Sequence, residues 1–339
     1  MNILSFKNSR MYFYLRSFAR KCYSIGLKII KKVKPGFTAR GTGGTISARY
    51  CYSVFMRHIV QLFNNGMKTI PLRIAEFGPG DSLGIGLCAI LAGSDEYYAL
   101  DVVDHANNAR NLKILNELAL LFKEKAAIPD SNEFPEVKPL LDDYSFPAHI
   151  FSDDDLATNL SEDRLESIRQ ILSPAFRKNE SGKIKIEYIV PWENYGNSYP
   201  VVDFVFSQAV LEHIDNLKNF YAVMSKILTD EGFVSHEIDF RSHSETYEWN
   251  GHWGITMTQW EKNRGTRPYL LNREPLSTHL QLFKESGFQI IAKIPSPGAA
   301  EGKPSIGRKK LVDRFLNLSD EDFETASCYI IARKFTDAE

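Results

Sequence analysis

Residues 73–86, RIAEFGPGDSLGIG, set two carboxylates, Glu76 and Asp81, around a loop of Gly78, Pro79 and Gly80. Glycines at such spacing, after a short apolar run, let backbone come close to a ligand. A dinucleotide fingerprint would have its third glycine at position 83, whereas here it is Gly84. Asp81 would also stand where a pyrophosphate sits and would repel it. A cationic ligand without phosphate reverses that logic, and both carboxylates become favourable neighbours. S-adenosylmethionine, with its sulfonium and ammonium, is such a ligand. Asp101 lies 25 residues after Glu76, at the end of a second apolar run with Val102 beside it. Its carboxylate can accept both hydroxyls of a ribose.

A second group of residues could move a proton. Five of the eight histidines, His213, His236, His243, His252 and His279, fall after residue 207. Histidine suits general-base work near neutral pH. His243 follows a strand in DFRSHS, His252 lies in the aromatic loop EWNGHWG, and His213 opens a helix. His243 or His252 is the expected base, with Asp239 orienting it. Alternation puts His236 on one strand face with Ile238, as a core residue. No ligand spacing among these groups supports a metal. Trp253, Arg264, Arg267, Tyr269 and Arg273 alternate aromatics with arginines. Such residues suit a glycan bearing phosphate or carboxylate, or equally a solvated basic face or salt bridges to the acidic body.

The elements that must position these groups follow from the pattern. LRIAEF, residues 72–77, is a strand entering the glycine loop; a helix over about 83–92 stops at Gly93, and Asp81 or Ser82 could cap it. EYYALDVV is the next strand and HANNARNLKILNELALLFKEKA, residues 105–126, is a helix. VVDFVFS, residues 201–207, is a further strand with Ser207 and Gln208 at its C-terminal end, where open sheets bind ligands. HIDNLKNFYAVMSKIL is an amphipathic helix and TDEGFVSHEIDF a turn and strand. Strand, glycine turn, helix, strand is the order of a doubly wound parallel sheet. Between Asp101 and Asp203 lie about a hundred residues, far more than a minimal sheet needs. Residues 126–182 therefore read as an inserted helical and irregular cap, or as a surface element without chemistry. The triplet Asp153–Asp155 within it lacks calcium-loop spacing and reads as a solvated acidic turn.

Charge is divided unevenly. The net charge is -1, yet no Asp or Glu precedes Glu76, and that stretch holds 14 Lys and Arg. Leu15, Phe18, Cys22, Ile25, Ile29 and Val33 recur at helical spacing, with the bases mostly elsewhere on the wheel. Residues 1–45 read as a basic arm and linker that could lie on an anionic membrane, pack on the body, or act as a transit peptide. The acidic body argues against nucleic acid. No run of 18 apolar residues suggests a membrane span. Four scattered cysteines without CxxC spacing fit a reducing compartment, hence a cytoplasmic protein. Oligomeric state is not encoded in any pattern seen here.

AEFGPGD, ALDV, VDFVFSQAVLEHI and LTDEGFVSHEIDF resemble, in order and spacing, the successive motifs of class I S-adenosylmethionine-dependent methyltransferases. GPGDSLGIGL, YYALDVVDHA, LDDYSFP, SHEIDFRSH, EWNGHW and RPYLLNREPLSTH resemble, across most of 46–335, a bacterial subgroup encoded beside surface-polysaccharide biosynthesis enzymes. The resemblance implies a Rossmann-like seven-stranded α/β sheet with helices on both faces, within one methyltransferase domain over 46–339. It also implies that Glu76, Gly78, Gly80, Asp101, Ser207 and Gln208 line the site of S-adenosylmethionine. In many relatives an acidic residue before an LPF-like segment holds the adenine. Here the stretch is YIVPWENY, so Trp192 would stack on the base instead. The implied activity is methyl transfer to a hydroxyl of a sugar or lipid-linked glycan. The alternatives are a nicotinamide-dependent oxidoreductase, whose YxxxK is missing because Tyr221 and Lys226 are five apart, and a non-catalytic cofactor-binding scaffold at a membrane.

Overall fold

The computed structural model describes residues 44–173, 183–194 and 199–335. The basic arm lies outside the described residues, and its membrane reading with it. Among the described residues no helix is long and apolar enough to cross a membrane. The described chain forms two compact units. One takes residues 44–238, 280–294 and 328–335; the other takes 239–279 and 295–327. The sequence pattern gave no sign of this second unit within 46–339.

Seven strands form one mixed sheet in the order β3-β2-β1-β4-β5-β7-β6. They are β1 Arg73–Phe77, β2 Glu96–Leu100, β3 Lys185–Ile189, β4 Val202–Gln208, β5 Leu228–Asp239, β6 Phe288–Pro297 and β7 Thr325–Lys334. This is the Rossmann-like α/β architecture expected from the sequence. β1 pairs in parallel with both β2 and β4, and β2 with β3 and β4 with β5 likewise. The strand order therefore reverses at β1, and the C-terminal ends of β1 and β4 border the crevice where such sheets bind ligands.

Helices cover both faces. Glu76 and Phe77 point to opposite sides of β1 because strand side chains alternate. On the Glu76 side, α1 Ala48–Asn64, α2 Gly84–Ala92 and α3 Asn108–Lys123 bury one continuous apolar core with Ile74, Tyr97, Phe204 and Phe206. On the Phe77 side, α6 Leu217–Ile227 inserts Phe220 against Phe77, ring centroids 4.7 Å apart. As expected, α2 stops at Gly93, with φ 121°; Ser47 caps α1 and Asn107 caps α3.

Residues 126–150 are irregular yet integral. Arg57, in the middle of α1, is fully buried and donates to three of their carbonyls: Val137 at 2.5 Å, Pro129 at 2.9 Å and Pro139 at 3.2 Å. Its ring-facing contact with Tyr144, 5.2 Å from the centroid, holds the same stretch. Beyond it, α4 Asp153–Asn159 begins at Ser152, whose hydroxyl accepts the Asp155 N–H, and Asp153–Asp155 fill the first turn, where a helix favours negative charge. In α5 Glu162–Ile171, Arg164 donates to the carbonyls of Ile90 and Ser94 and so closes the C-terminus of α2.

Candidate functional site

The glycine loop leaves β1 with both glycines in left-handed backbone, φ 68° at Gly78 and 73° at Gly80. A Cβ on Gly78 would also lie 2.5 Å from a Val210 methyl. The loop's amides are already engaged. Asp81 N–H donates to Thr45 Oγ1 (3.0 Å), Leu83 N–H to Asn111 Oδ1 (3.0 Å) and Gly84 N–H to Ser82 Oγ (3.1 Å). Ser82 in turn donates its hydroxyl to the Thr45 carbonyl, and Arg110 donates to the Asp81 carbonyl (2.6 Å). Ser82 thus works at the helix start as expected, while Thr45 and Asn111 were invisible in the sequence because their partners lie 36 and 28 residues away.

Asp101 follows β2 and is 8% exposed. Burial raises its pKa above the usual carboxylate value, against N–H bonds from Val102 and Val103 that favour the ionised form. The Gly80 amide acts in the same direction, so the two features paired in the sequence come near one another in space. Val102 is partly exposed beside it. Asp81 is buried in the same loop.

Glu76 plays a different part from the one expected. Its carboxyl is buried on the α2 side, accepts the Tyr97 hydroxyl at 2.5 Å, and burial pushes its pKa up to about 8. At neutral pH it is mostly protonated, so it contributes little charge to a cation and instead ties β1 to Tyr97 of β2. Gly86 is glycine because Tyr97 occupies its Cβ position, with ring atoms 2.0 Å from where that carbon would be. The folded state holds the Glu76 proton between pH 4.5 and about 8 while the unfolded chain has released it. Stability therefore falls as pH rises through that window, by at most ~1.4 kcal/mol per pH unit for one proton. Urea unfolding at pH 5, 6.5 and 8 is expected to show this slope, and Glu76→Gln to flatten it.

At the end of β4, neighbouring residues diverge. Ser207 faces the α6 side, fully buried, with its hydroxyl 2.7 Å from His236 Nδ1; His236 Nε2 lies 3.1 Å from Met224 Sδ. Ser207 is thus a core residue, not a cofactor contact, and His236 is the core histidine expected. Gln208 faces the α1 side and is only half-buried. His58 Nε2 donates to its Oε1 (3.0 Å), and its amide nitrogen donates to the Lys138 carbonyl (3.3 Å). His58 is itself buried, 2.5 Å from Ser235 Oγ, and burial lowers its pKa to about 4. Trp192 corrects a further expectation. Its ring meets Phe77 edge-on (5.3 Å, 89°) and only 3% of the residue is exposed, so it offers no face to an adenine.

The second unit contains three of the proton-handling candidates, Asp239, His243 and His252. Asp239 is buried; His243 Nε2 lies 2.9 Å from its Oδ2, and Arg241 donates to both carboxylate oxygens, 2.7–3.0 Å away. Burial alone would raise the Asp239 pKa, but the bonds from His243 and Arg241 prevail and hold it well below the usual carboxylate range. An ionised Asp239 keeps the His243 proton on Nε2 and makes Nδ1 the basic nitrogen. His243 and Ser244 both have positive φ, 46° and 66°, a costly backbone for such residues and one concentrated at functional sites.

His252 is not comparable. It is buried against Trp253 (ring centroids 4.9 Å apart), and burial, reinforced by the Arg273 charge, lowers its pKa to about 3. A nitrogen that resists protonation so strongly is a poor base. His213 sits in the 3₁₀ turn Leu211–His213 after β4.

The residues expected to hold substrate are largely structural. Trp253 is buried and donates its indole N–H to the Arg273 carbonyl (3.1 Å). Arg273, 3% exposed, lies over Trp260 and donates to the carbonyls of His252 and Ile255. Arg264 donates to the Pro268 carbonyl, and Arg267 pairs with Glu245 at 2.8 Å, which favours the salt-bridge reading. Tyr269 is half-buried in the same loop.

No protein-family model matches the chain, and no curated protein matches it significantly. Solved structures of similar fold include an S-adenosylmethionine-dependent methyltransferase from Mesorhizobium loti, at 12% identity and TM-score 0.39, covering 81% of this chain and 96% of that one. Another is phosphoethanolamine N-methyltransferase 2 of Haemonchus contortus in complex with S-adenosyl-L-methionine, at 14% identity and TM-score 0.39, covering 89% of this chain and 61% of that one. The same Haemonchus protein in complex with phosphomonomethylethanolamine and S-adenosylhomocysteine gives TM-score 0.38 at 14% identity, covering 86% of this chain and 58% of that one.

Proposed function

We propose that this chain is an S-adenosylmethionine-dependent methyltransferase that methylates a hydroxyl of a sugar or lipid-linked glycan in the cytoplasm, at the membrane face if the basic arm lies on anionic lipid. The observation that carries this reading is the state of the glycine loop. A dinucleotide site needs helix N-terminal amides free for pyrophosphate. Here those of Asp81, Leu83 and Gly84 are bonded internally, and two carboxylates, Asp81 and Asp101, flank the loop. That environment suits a cation with a ribose and no phosphate.

Gly78 and Gly80 fit a nucleoside laid against backbone, Asp101 fits the ribose hydroxyls, and Asp81 fits a cationic group. The cofactor supplies a methyl group on a sulfonium, open to in-line displacement. The chain's own contribution is position and proton removal. His243 Nδ1 would take the acceptor hydroxyl's proton, Asp239 would stabilise the imidazolium that results, and the thioether would be the leaving group of the displacement.

Calorimetry on the full chain tests this. S-adenosylhomocysteine is expected to bind at least about a hundredfold more tightly than NAD, and Asp101→Ala to lose most of that advantage. Tight NAD binding with none for S-adenosylhomocysteine would favour the oxidoreductase instead.

A further inference from the structure

We infer that Lys138 is the anion-recognition residue for the methyl acceptor, so that the acceptor is an acidic sugar carrying phosphate or carboxylate; this rests on the methyltransferase reading above. Three successive carbonyls in the irregular stretch, Val137, Lys138 and Pro139, accept side-chain hydrogen bonds from the body of the first unit. Arg57 takes the outer two, and Gln208 takes the middle one at 3.3 Å. Gln208 is the last residue of β4, at the ligand-binding edge of the sheet. Its amide cannot turn over, because His58 donates to Oε1 from the other side, with Ser235 on the remaining ring nitrogen. The effect is to fix the backbone of one lysine within hydrogen-bond reach of that edge.

The Lys138 side chain is half-buried, and among the described residues its ammonium pairs with no carboxylate. A rigidly rooted, partly desolvated cation without a counter-ion is poised for an anion from outside the chain. The three arginines that the sequence offered for an anionic glycan are committed. Arg267 pairs with Glu245, Arg264 with the Pro268 carbonyl, and Arg273 is buried with carbonyl partners.

The test uses full-chain protein saturated with S-adenosylhomocysteine, titrated with glucose 1-phosphate, glucuronate and glucose. Both acidic sugars are expected to bind at least about tenfold more tightly than glucose, and the tighter of the two names the anion. Lys138→Gln should erase the difference and Lys138→Arg should keep it within about threefold, with S-adenosylhomocysteine affinity equal in all three proteins. Unchanged preference in Lys138→Gln overturns the inference, as does wild-type protein that holds S-adenosylhomocysteine yet discriminates against neither charge nor its absence. Failure to bind S-adenosylhomocysteine at all would instead sink the methyltransferase reading.

Discussion

His243→Ala is expected to lower methyl transfer by about a hundredfold to ten-thousandfold, the usual worth of a positioned general base, while S-adenosylhomocysteine binds as before. The measurement is incorporation of label from radiolabelled methyl donor into membrane glycolipid extract. The size of the effect follows from geometry. Asp239 fixes which ring nitrogen carries the proton, at 2.9 Å, and Arg241 keeps Asp239 ionised. Asp239→Asn removes that charge and permits the other tautomer, so it should fall in the same direction with a smaller loss. Undiminished transfer by the His243 variant would show that the base lies elsewhere or that the acceptor needs none.

Arg57→Met is expected to destabilise the folded chain by about 1–3 kcal/mol for each buried acceptor left unmatched. The guanidinium bonds three carbonyls and the Ser53 hydroxyl in a site closed to solvent. Methionine fills much of the volume but leaves those carbonyls without donors. Urea unfolding with the fluorescence of the four tryptophans checks it; a loss under about 1 kcal/mol would mean that water reaches the carbonyls. The irregular stretch should also loosen first, seen as faster amide exchange over 126–150.

What could be read from the residues alone was what depends on neighbours in the chain. The strands at 73–77, 96–100 and 202–208, the glycine loop, Asp101 and the Asp239–His243 pair all sit on short spacings. Long-range partners were not legible. His58 meets Ser235 across 177 positions and Gln208 across 150. Its one signal was a histidine following an arginine on the apolar side of a helix, among Val54, Phe55, Met56 and Ile59. Trp192, Trp253, Arg273, His252 and Ser207 were misplaced for a single reason: an aromatic, cationic or hydroxyl side chain has the same letter in a core as in a binding groove. Burial distinguishes the two, and burial is a property of the whole fold.

The bonds that Asp81 and Ser82 donate to Thr45 have a thermodynamic consequence. A glycine-rich turn is ordinarily a floppy one, and a ligand that must freeze it gives up affinity to entropy. Here the turn is immobilised during folding by a residue contributed from outside it. A nucleoside bound there would meet a preorganised cradle, and more of its contact energy would be left to appear as affinity.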